Sequence, residues 1–501
     1  MAQQQTVAVI GGGVAGLTSA LILARAGHAV TLVEKSSRLG LTLRGFSREG
    51  VYFDTGLHYT GGLAENGIVS RYLRYLGVDA PGVVAFERDG FDEVRFADIG
   101  KTVRLPVGYE AMVRALLDNF PEEERCVTAY MEAARADFQA SSLLNFFLST
   151  RDSARERDAV PLDTFLRDLT DDAHLRCVLS IHSLLYGVSP VEVPFTQHAY
   201  VSASYFDSVH NFSGGGGALI RAMEDRLREL GVTILCGRAV TRLICEGGRN
   251  LTRLELEDGT RIETDAVVCT AHPSALADMG EGAFRPVYVD HLRSLEETSS
   301  AYMLFGIAEK KPECLKGRNL FLCHDPELAG SFSPSILPGR GPFYVASSPQ
   351  PGPQPGPHNG GQEGRTGIVV LTPGSFDSVR EWEDSRLGRR PEGYKRHKAE
   401  AMRRIRESLL EIAPELADVR FVDGATPLTM RDYLQTPDGS LYGSKHTVDQ
   451  LNPMPVTRIP NLWLAGQSVL APGLMGAMIS AFLACGFFLG HTTLHEEAAC
   501  S

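Results

Sequence analysis

Three glycines near the N-terminus have the spacing of a phosphate-binding turn: Gly11, Gly13 and Gly16 form a G-x-G-x-x-G pattern. They follow an apolar, β-branched segment, residues 6–10, and precede a helical pattern. In such a turn the first glycine permits the bend, the second lets a pyrophosphate approach the backbone, and the third lets the helix pack against the strand. The N–H groups at the start of the helix then face the phosphates.

An acidic residue stands where this unit needs one. A second apolar segment, residues 29–33, ends at Glu34, whose carboxylate can accept hydrogen bonds from both hydroxyls of an adenosine ribose. Strand, glycine turn, helix, strand and acid follow one another in register, so the sequence predicts a dinucleotide-binding unit. The further cofactor contacts expected from this unit are Val14, Ala15 and Lys35.

The stretch 461–490 contains no Asp, Glu, Lys, Arg or His, and its total length would suffice to span a bilayer. Gly466 and Gln467 interrupt it, and Pro472 followed by Gly473 breaks it again. The remaining pieces have the lengths of one strand and one helix. A helix that is apolar on every side must lie in a membrane or inside a large protein. These interruptions favour a buried helix from about residue 474 to 489.

The composition is that of a globular protein large enough to bury such a helix. The chain has 501 residues, of which 43% are hydrophobic and 22% charged, and a formal net charge of -12. This acidic balance disfavours nucleic acid as a partner. Nine cysteines form no C-x-x-C pair, and the N-terminus shows no secretory signal pattern. We therefore expect a cytoplasmic protein without a metal site.

Four segments together resemble the phytoene-desaturase superfamily of flavoproteins, and most closely its all-trans-retinol saturase branch. They are the N-terminal unit, "YFDTGLHYTGG" from residue 52, "GATPLTMRDYLQTPDGSLYGSKHTVDQLNP" from residue 424, and the apolar stretch from residue 461. The resemblance implies FAD as the cofactor. It also implies an α/β fold, in which a Rossmann-like FAD-binding domain of the glutathione-reductase type is combined with a discontinuous α+β substrate domain.

The same resemblance suggests how the chain is divided. Residues 1–90, 210–285 and 415–501 are expected to form the FAD-binding domain. Residues 91–209 and 286–414 are expected to form the substrate-binding domain.

Further FAD contacts are implied by the resemblance rather than by spacing. Arg44 lies in the extension beyond Glu34, where the family has a Gly-Gly pair that is here Gly40-Leu41. Near the C-terminus, Gly466 and Gln467 are expected to meet the ribityl-phosphate part, and the helix that follows is expected to direct its N-terminus at the flavin pyrimidine. The remaining expected cofactor contacts are Val240, Gly473, Leu474 and Met475.

Two family motifs also supply candidates for proton transfer. His58 and Tyr59 lie in the first motif, and Tyr442 and His446 lie in "GSLYGSKH". The resemblance places these four side chains near the isoalloxazine, and a donor with a pKa near 7 would favour histidine. For the two histidines, a role in hydrogen bonding to the backbone or in shaping the pocket is at least as well favoured.

Several functions remain open on these grounds. The leading hypothesis is an FAD-dependent oxidoreductase that saturates or desaturates a C=C bond of a long apolar isoprenoid or polyene, with an external electron donor or acceptor. The alternatives are a redox-neutral carotenoid cis-trans isomerase, a flavin amine oxidase and a prenyl-binding protein without flavin. A lipid-soluble substrate suggests peripheral contact with a membrane, helped by a predicted basic helix at residues 392–410.

Overall fold

The computed structural model describes residues 4–141, 159–246, 249–328, 338–350 and 364–500. Numbered in chain order, the strands are β1 (Thr6–Ile10), β2 (Ala29–Glu34), β3 (Phe46–Arg48), β4 (Val51–Phe53), β5 (Val83–Ala85), β6 (Asp92–Phe96), β7 (Lys101–Leu105), β8 (His210–Phe212), β9 (Thr233–Cys236), β10 (Val240–Ile244), β11 (Arg253–Leu256), β12 (Arg261–Glu263), β13 (Ala266–Cys269), β14 (Ser300–Ala308), β15 (Asn319–Cys323), β16 (Phe343–Ser348), β17 (Thr366–Gly374), β18 (Arg420–Ala425) and β19 (Leu462–Leu464).

The α-helices of the described part are α1 (Val14–Arg25), α2 (Ile68–Leu76), α3 (Tyr109–Asn119), α4 (Glu124–Ala140), α5 (Leu162–Arg167), α6 (Ala173–Ser180), α7 (Phe195–Asp207), α8 (Gly215–Glu229), α9 (Pro273–Met279), α10 (Pro286–Arg293), α11 (Glu392–Ile412), α12 (Pro427–Leu434), α13 (Gly473–Leu489) and α14 (His491–Ala499).

A parallel sheet of five strands carries the predicted dinucleotide unit. Its order is β19-β13-β1-β2-β9, and every neighbouring pair is parallel. Val7 and Val9 of β1 pack into the core formed with α1, α8 and α13, whereas Ala8 and Ile10 pack into the core on the other face. Burial on both faces explains why β1 is apolar without alternation.

Helix α13 is buried in this sheet's core, as its sequence predicts. Leu474, Met478 and Ile479 are buried in the same cluster as Leu17 and Leu21 of α1. Among the described residues, no helix combines the length and the hydropathy that crossing a bilayer requires.

A second, larger sheet has seven strands in the order β18-β14-β17-β16-β15-β6-β7. Its pairs are antiparallel except for β15 with β6. One face packs on α11, and helices of the 108–207 region, including α4 and α7, form a separate core with its β6 end. Strand β18 pairs with β14, although the sequence-based division assigns it to the FAD-binding segments.

Candidate functional site: a dinucleotide cleft that continues into an apolar channel

One cleft of about 1240 Å³ runs between the two large sheets. Small-molecule pockets usually measure roughly 300–1,000 Å³, so this cleft has room for a dinucleotide and a second ligand. The glycine turn after β1 and the end of β2 line one part of the cleft, and β14, β16 and β17 of the larger sheet line another. It therefore joins the parallel sheet's nucleotide-binding edge to the face of the seven-stranded sheet.

The glycine turn is shaped as its spacing predicts. Gly11 has a φ of +104°, which favours glycine, and its N–H donates to the carbonyl of Val33 at 2.8 Å. A Cβ on Gly16 would lie 1.8 Å from the carbonyl oxygen of Gly11, so only glycine permits this contact between helix and turn. A Cβ on Gly13 would meet nothing within 4 Å. The space beside Gly13 belongs to the cleft rather than to packed protein.

Glu34 holds this turn in place. Its carboxylate accepts hydrogen bonds from the N–H of Gly12 at 2.5 Å and from the N–H of Ser36 at 2.7 Å, and its side chain lines the cleft. The predicted contact with a ribose is compatible with this position. The carboxylate also orders the loop that phosphates would approach.

Two helix N-termini open onto the cleft without a side-chain cap. The N-cap residue of α1 is Gly13 and that of α13 is Pro472, and neither donates or accepts a capping side-chain hydrogen bond. Uncapped N–H groups and the positive end of the helix dipole favour bound anions. Two such termini on one cleft fit a ligand with a pyrophosphate and a second electron-rich group, as FAD has.

Hydrogen bonds with residues outside the cleft hold the loop before α13 in place. The N–H of Gly466 donates to Ser480 Oγ at 2.9 Å, and His446 Nε2 donates to the carbonyl of Gln467 at 2.7 Å. Gly473 has a φ of +82° and open space where a Cβ would lie. These contacts hold the loop and the helix start against the cleft.

Most of the predicted cofactor contacts line the cleft. Those that do are Gly11, Gly13, Val14, Ala15, Glu34, Lys35, Arg44, Val240, Gly466, Gln467, Gly473 and Leu474. Gly16 and Met475 do not line it. Gly16 instead packs α1 on the turn, and Met475 packs beside the α1–α13 core.

The first catalytic candidate, His58, lines the cleft. Burial lowers the pKa of His58 to about 4, so its imidazole is neutral at pH 7. The carbonyl of His58 accepts a 2.6 Å hydrogen bond from Asn211 Nδ2, and the backbone of Thr60 pairs with His210 of β8. Strand β8 therefore positions this segment against the cleft.

Tyr59 and His446 lie behind the cleft wall rather than in it. Tyr59 donates its hydroxyl to Asp92 Oδ2 at 2.8 Å, inside the core of the substrate side. His446 donates a hydrogen bond to the carbonyl of Gln467, and burial lowers the pKa of His446. Neither side chain lines the cleft, and only His446 forms a hydrogen bond with a residue that does, Gln467.

Tyr442 lines the cleft, and so does Tyr344, which no sequence motif predicts. Burial raises the pKa of Tyr442 to about 12 and the pKa of Tyr344 far above 10. Both hydroxyls therefore keep their protons at pH 7. The rings of His58 and Tyr344 lie 5.3 Å apart, so one predicted residue and one unpredicted residue share this part of the wall.

Beyond these residues the cleft continues as a channel between β3, β14 and α12. Its apolar lining residues are Phe46, Met303, Phe305, Met430 and Leu441. The charged residues Arg48, Arg390, Lys398 and Asp423 also line the cleft. At the surface it is lined by Leu387, which is 56% exposed, and Tyr433, which is 53% exposed. Because side chains alternate along a strand, Met303 and Phe305 lie on one face of β14. The sequence alone does not show that this face lines the cleft.

Known proteins resemble this chain along most of its length. All-trans-retinol 13,14-reductase of Danio rerio is 24% identical, and the match covers 98% of this chain and 86% of that protein. Hydroxyneurosporene desaturase of Cereibacter sphaeroides is 26% identical, with 92% of each chain covered. The solved structure of an oxidoreductase from Methanosarcina mazei shares the fold with a TM-score of 0.66 at 16% identity, covering 96% of this chain and 99% of that one.

The model of one protein family, described as flavin containing amine oxidoreductase, matches residues 14–485. That range includes α1, the cleft-lining residues from Val14 onward and the first 13 of the 17 residues of α13. The predicted cofactor, FAD, and the predicted α/β class are thereby confirmed. The chain belongs to the flavin containing amine oxidoreductase family and is an FAD-dependent oxidoreductase.

Proposed function

We propose that this enzyme adds or removes two hydrogens across a C=C bond of a long apolar polyene. The relatives named as a retinol 13,14-reductase and a hydroxyneurosporene desaturase support this reaction class. The observation that carries the proposal is the group of apolar residues, Phe46, Met303, Phe305, Met430 and Leu441, which line the same cleft as the predicted flavin contacts. Such side chains suit a hydrocarbon chain.

FAD supplies the hydride chemistry when it is bound. The glycine turn and the two uncapped helix N-termini would hold it. His58 and Tyr442 are the predicted catalytic residues that line the cleft. His446 would act as a positioning residue through the Gln467 loop, whereas the bond from Tyr59 to Asp92 lies within the buried core.

This function predicts a direct reaction between a polyene and the flavin. Under anaerobic conditions, one member of a polyene panel should reoxidise the chemically reduced enzyme, or its saturated counterpart should reduce the oxidised enzyme. Flavin absorbance follows the reaction, and mass spectrometry should find a product that differs from its substrate by two hydrogens.

The controls separate the remaining alternatives. An unchanged product mass with an altered double-bond geometry would indicate the redox-neutral isomerase. Reduction of the flavin by primary amines, with no polyene reacting in either direction, would contradict the proposal and indicate an amine oxidase. The external electron donor or acceptor is part of the proposal, since a net two-electron reaction must regenerate the flavin.

We also propose that the mouth of the channel touches a membrane surface. Leu387 and Tyr433 are exposed there, and Lys398 of α11 lines the same opening. Electrostatic attraction between this region and an anionic membrane should be weak, because several of its basic residues already form ion pairs with acidic side chains. The pairs are Lys395 with Glu392, Lys398 with Asp423, Arg403 with Glu400 and Glu407, and Arg404 with Glu400.

Binding to anionic vesicles is therefore expected to be weak and to decrease as salt rises. Each unpaired basic side chain near an anionic surface adds only about 1 kcal/mol. Co-sedimentation with phosphatidylserine-containing vesicles measures this, with uncharged phosphatidylcholine vesicles and a Leu387→Ser variant as controls. Equal binding to both vesicle types, or none to either, would contradict the electrostatic part of the proposal.

A further inference from the structure

Asp54 directly follows β4, is 0% exposed and does not line the cleft. Its Oδ1 atom accepts hydrogen bonds from the Tyr52 hydroxyl at 2.9 Å and from the N–H of Gly216 at 3.1 Å. The Tyr52 hydroxyl in turn accepts a hydrogen bond from the N–H of Gly217 at 3.2 Å. Two side chains from one short segment thus pair with two successive backbone N–H groups.

These N–H groups belong to the first turn of α8. The N-cap residue of α8 is Gly214, which makes no side-chain capping hydrogen bond. The first N–H groups of a helix have no partner within the helix, and a carboxylate at this end interacts favourably with the helix dipole. Asp54 and Tyr52 therefore cap α8 from another part of the chain.

The same turn of α8 supports a segment that does line the cleft, residues 41–45. A Cβ on Gly216 would lie 2.6 Å from the carbonyl oxygen of Leu43. A Cβ on Gly217 would lie 2.8 Å from the carbonyl oxygen of Arg44. The backbone of the 41–45 segment thus lies directly on the backbone of α8, and a shift of this helix turn would shift the segment.

Tyr52 also contacts the 41–45 segment. Gly45 has a φ of +60°, and a Cβ at this position would lie 2.5 Å from the Tyr52 hydroxyl oxygen. The hydroxyl is enclosed between Gly45, the Asp54 carboxylate and α8. One hydroxyl group therefore joins the cap of α8 to the cleft-lining segment.

We propose that Asp54 is a positioning residue for FAD, which fixes the 41–45 segment by holding the start of α8 and the Tyr52 hydroxyl. Because Asp54 does not line the cleft, its effect on FAD must pass through the backbone of that segment. The inference rests on the predicted contact between Arg44 and FAD. It does not depend on the substrate that the flavin serves.

Asp54→Asn tests the proposal at pH 8. Burial raises the pKa of Asp54 to about 7, so the native carboxylate is largely ionised at pH 8 and a neutral side chain is tolerated in the fold. The variant keeps an acceptor oxygen and loses the charge at the start of α8. Titration of the apoprotein with FAD, followed by flavin fluorescence, should show a dissociation constant about 10-fold higher than that of the native protein, the lower end of what one charged hydrogen bond contributes. Tyr52→Phe, which lacks the hydroxyl, should also weaken FAD binding.

Leu166→Ala is the matched control for general destabilisation, because Leu166 is 1% exposed and lies in the separate core on the substrate side. It should lower the Tm of the apoprotein and leave the affinity for FAD unchanged. Hydrogen exchange of the apoproteins, measured by mass spectrometry, adds a local comparison. Asp54→Asn should accelerate exchange in peptides that cover residues 41–45 and 215–217, whereas Leu166→Ala should not.

Native affinity for FAD in both Asp54→Asn and Tyr52→Phe would overturn the proposal, even if exchange is faster, because Asp54 would then serve folding alone. An equal loss of affinity in Leu166→Ala at the same decrease in Tm would also overturn it, since FAD binding would then follow global stability. If Asp54→Asn does not fold, the affinity of Tyr52→Phe decides. All these measurements omit substrate, so their outcome is separate from that of the polyene reaction.

Discussion

Gly13→Val should give a folded protein that does not bind FAD. A Cβ at this position meets no protein atom within 4 Å, and the backbone φ of -76° is one that valine adopts readily. The side chain would instead occupy the space where a pyrophosphate approaches the N-terminus of α1. Flavin absorbance of the purified variant measures the loss. Circular dichroism and thermal unfolding, compared with native protein stripped of FAD, should show an intact fold.

Gly16→Ala, unlike Gly13→Val, should disturb the fold as well as FAD binding. Its Cβ would lie 1.8 Å from the Gly11 carbonyl oxygen, so α1 must move away from the turn even when no cofactor is present. We therefore expect a lower Tm than that of the native apoprotein, together with loss of FAD. Stoichiometric FAD in folded Gly13→Val would refute the assignment of this turn to the pyrophosphate.

The parts of the fold that follow local rules could be predicted from the sequence. The expected strand at residues 6–10 is β1, and the helix expected from about 474 to 489 is α13. In both, the boundaries are set by glycine, proline and continuous apolar character, which act within a few residues. The pairing of β18 with β14 could not be predicted in this way, because it joins segments more than 100 residues apart.

The site shows the same division between local and long-range information. The glycine turn and Glu34 were recognisable because one short segment contains the whole pattern. Tyr344 could not be predicted because β16 carries no motif. Only the fold shows that this residue lines the cleft. His58 and Tyr59 are adjacent in the chain, yet one side chain lines the cleft and the other bonds Asp92. Sequence proximity placed the segment but not the directions of its side chains.

Ala484→Asp should prevent folding or severely destabilise the protein. Ala484 of α13 is 0% exposed and lies in the core shared with α1. An uncompensated buried charge typically costs about 3–5 kcal/mol. This is a large part of the roughly 5–15 kcal/mol by which a protein is stable. The yield of folded protein and the denaturant midpoint measure the effect.

Phe487→Asp is the matched control on the same helix, because Phe487 is 44% exposed. A carboxylate at this position remains in water, so we expect folded, FAD-bearing protein with nearly native stability. The contrast depends on the environment of the helix. If α13 were surrounded by lipid, a charge at either position would meet hydrocarbon, and both variants would fail. A folded, stable Ala484→Asp protein would therefore contradict the buried helix. If Ala484→Asp fails to fold and Phe487→Asp folds normally, α13 is packed inside the protein.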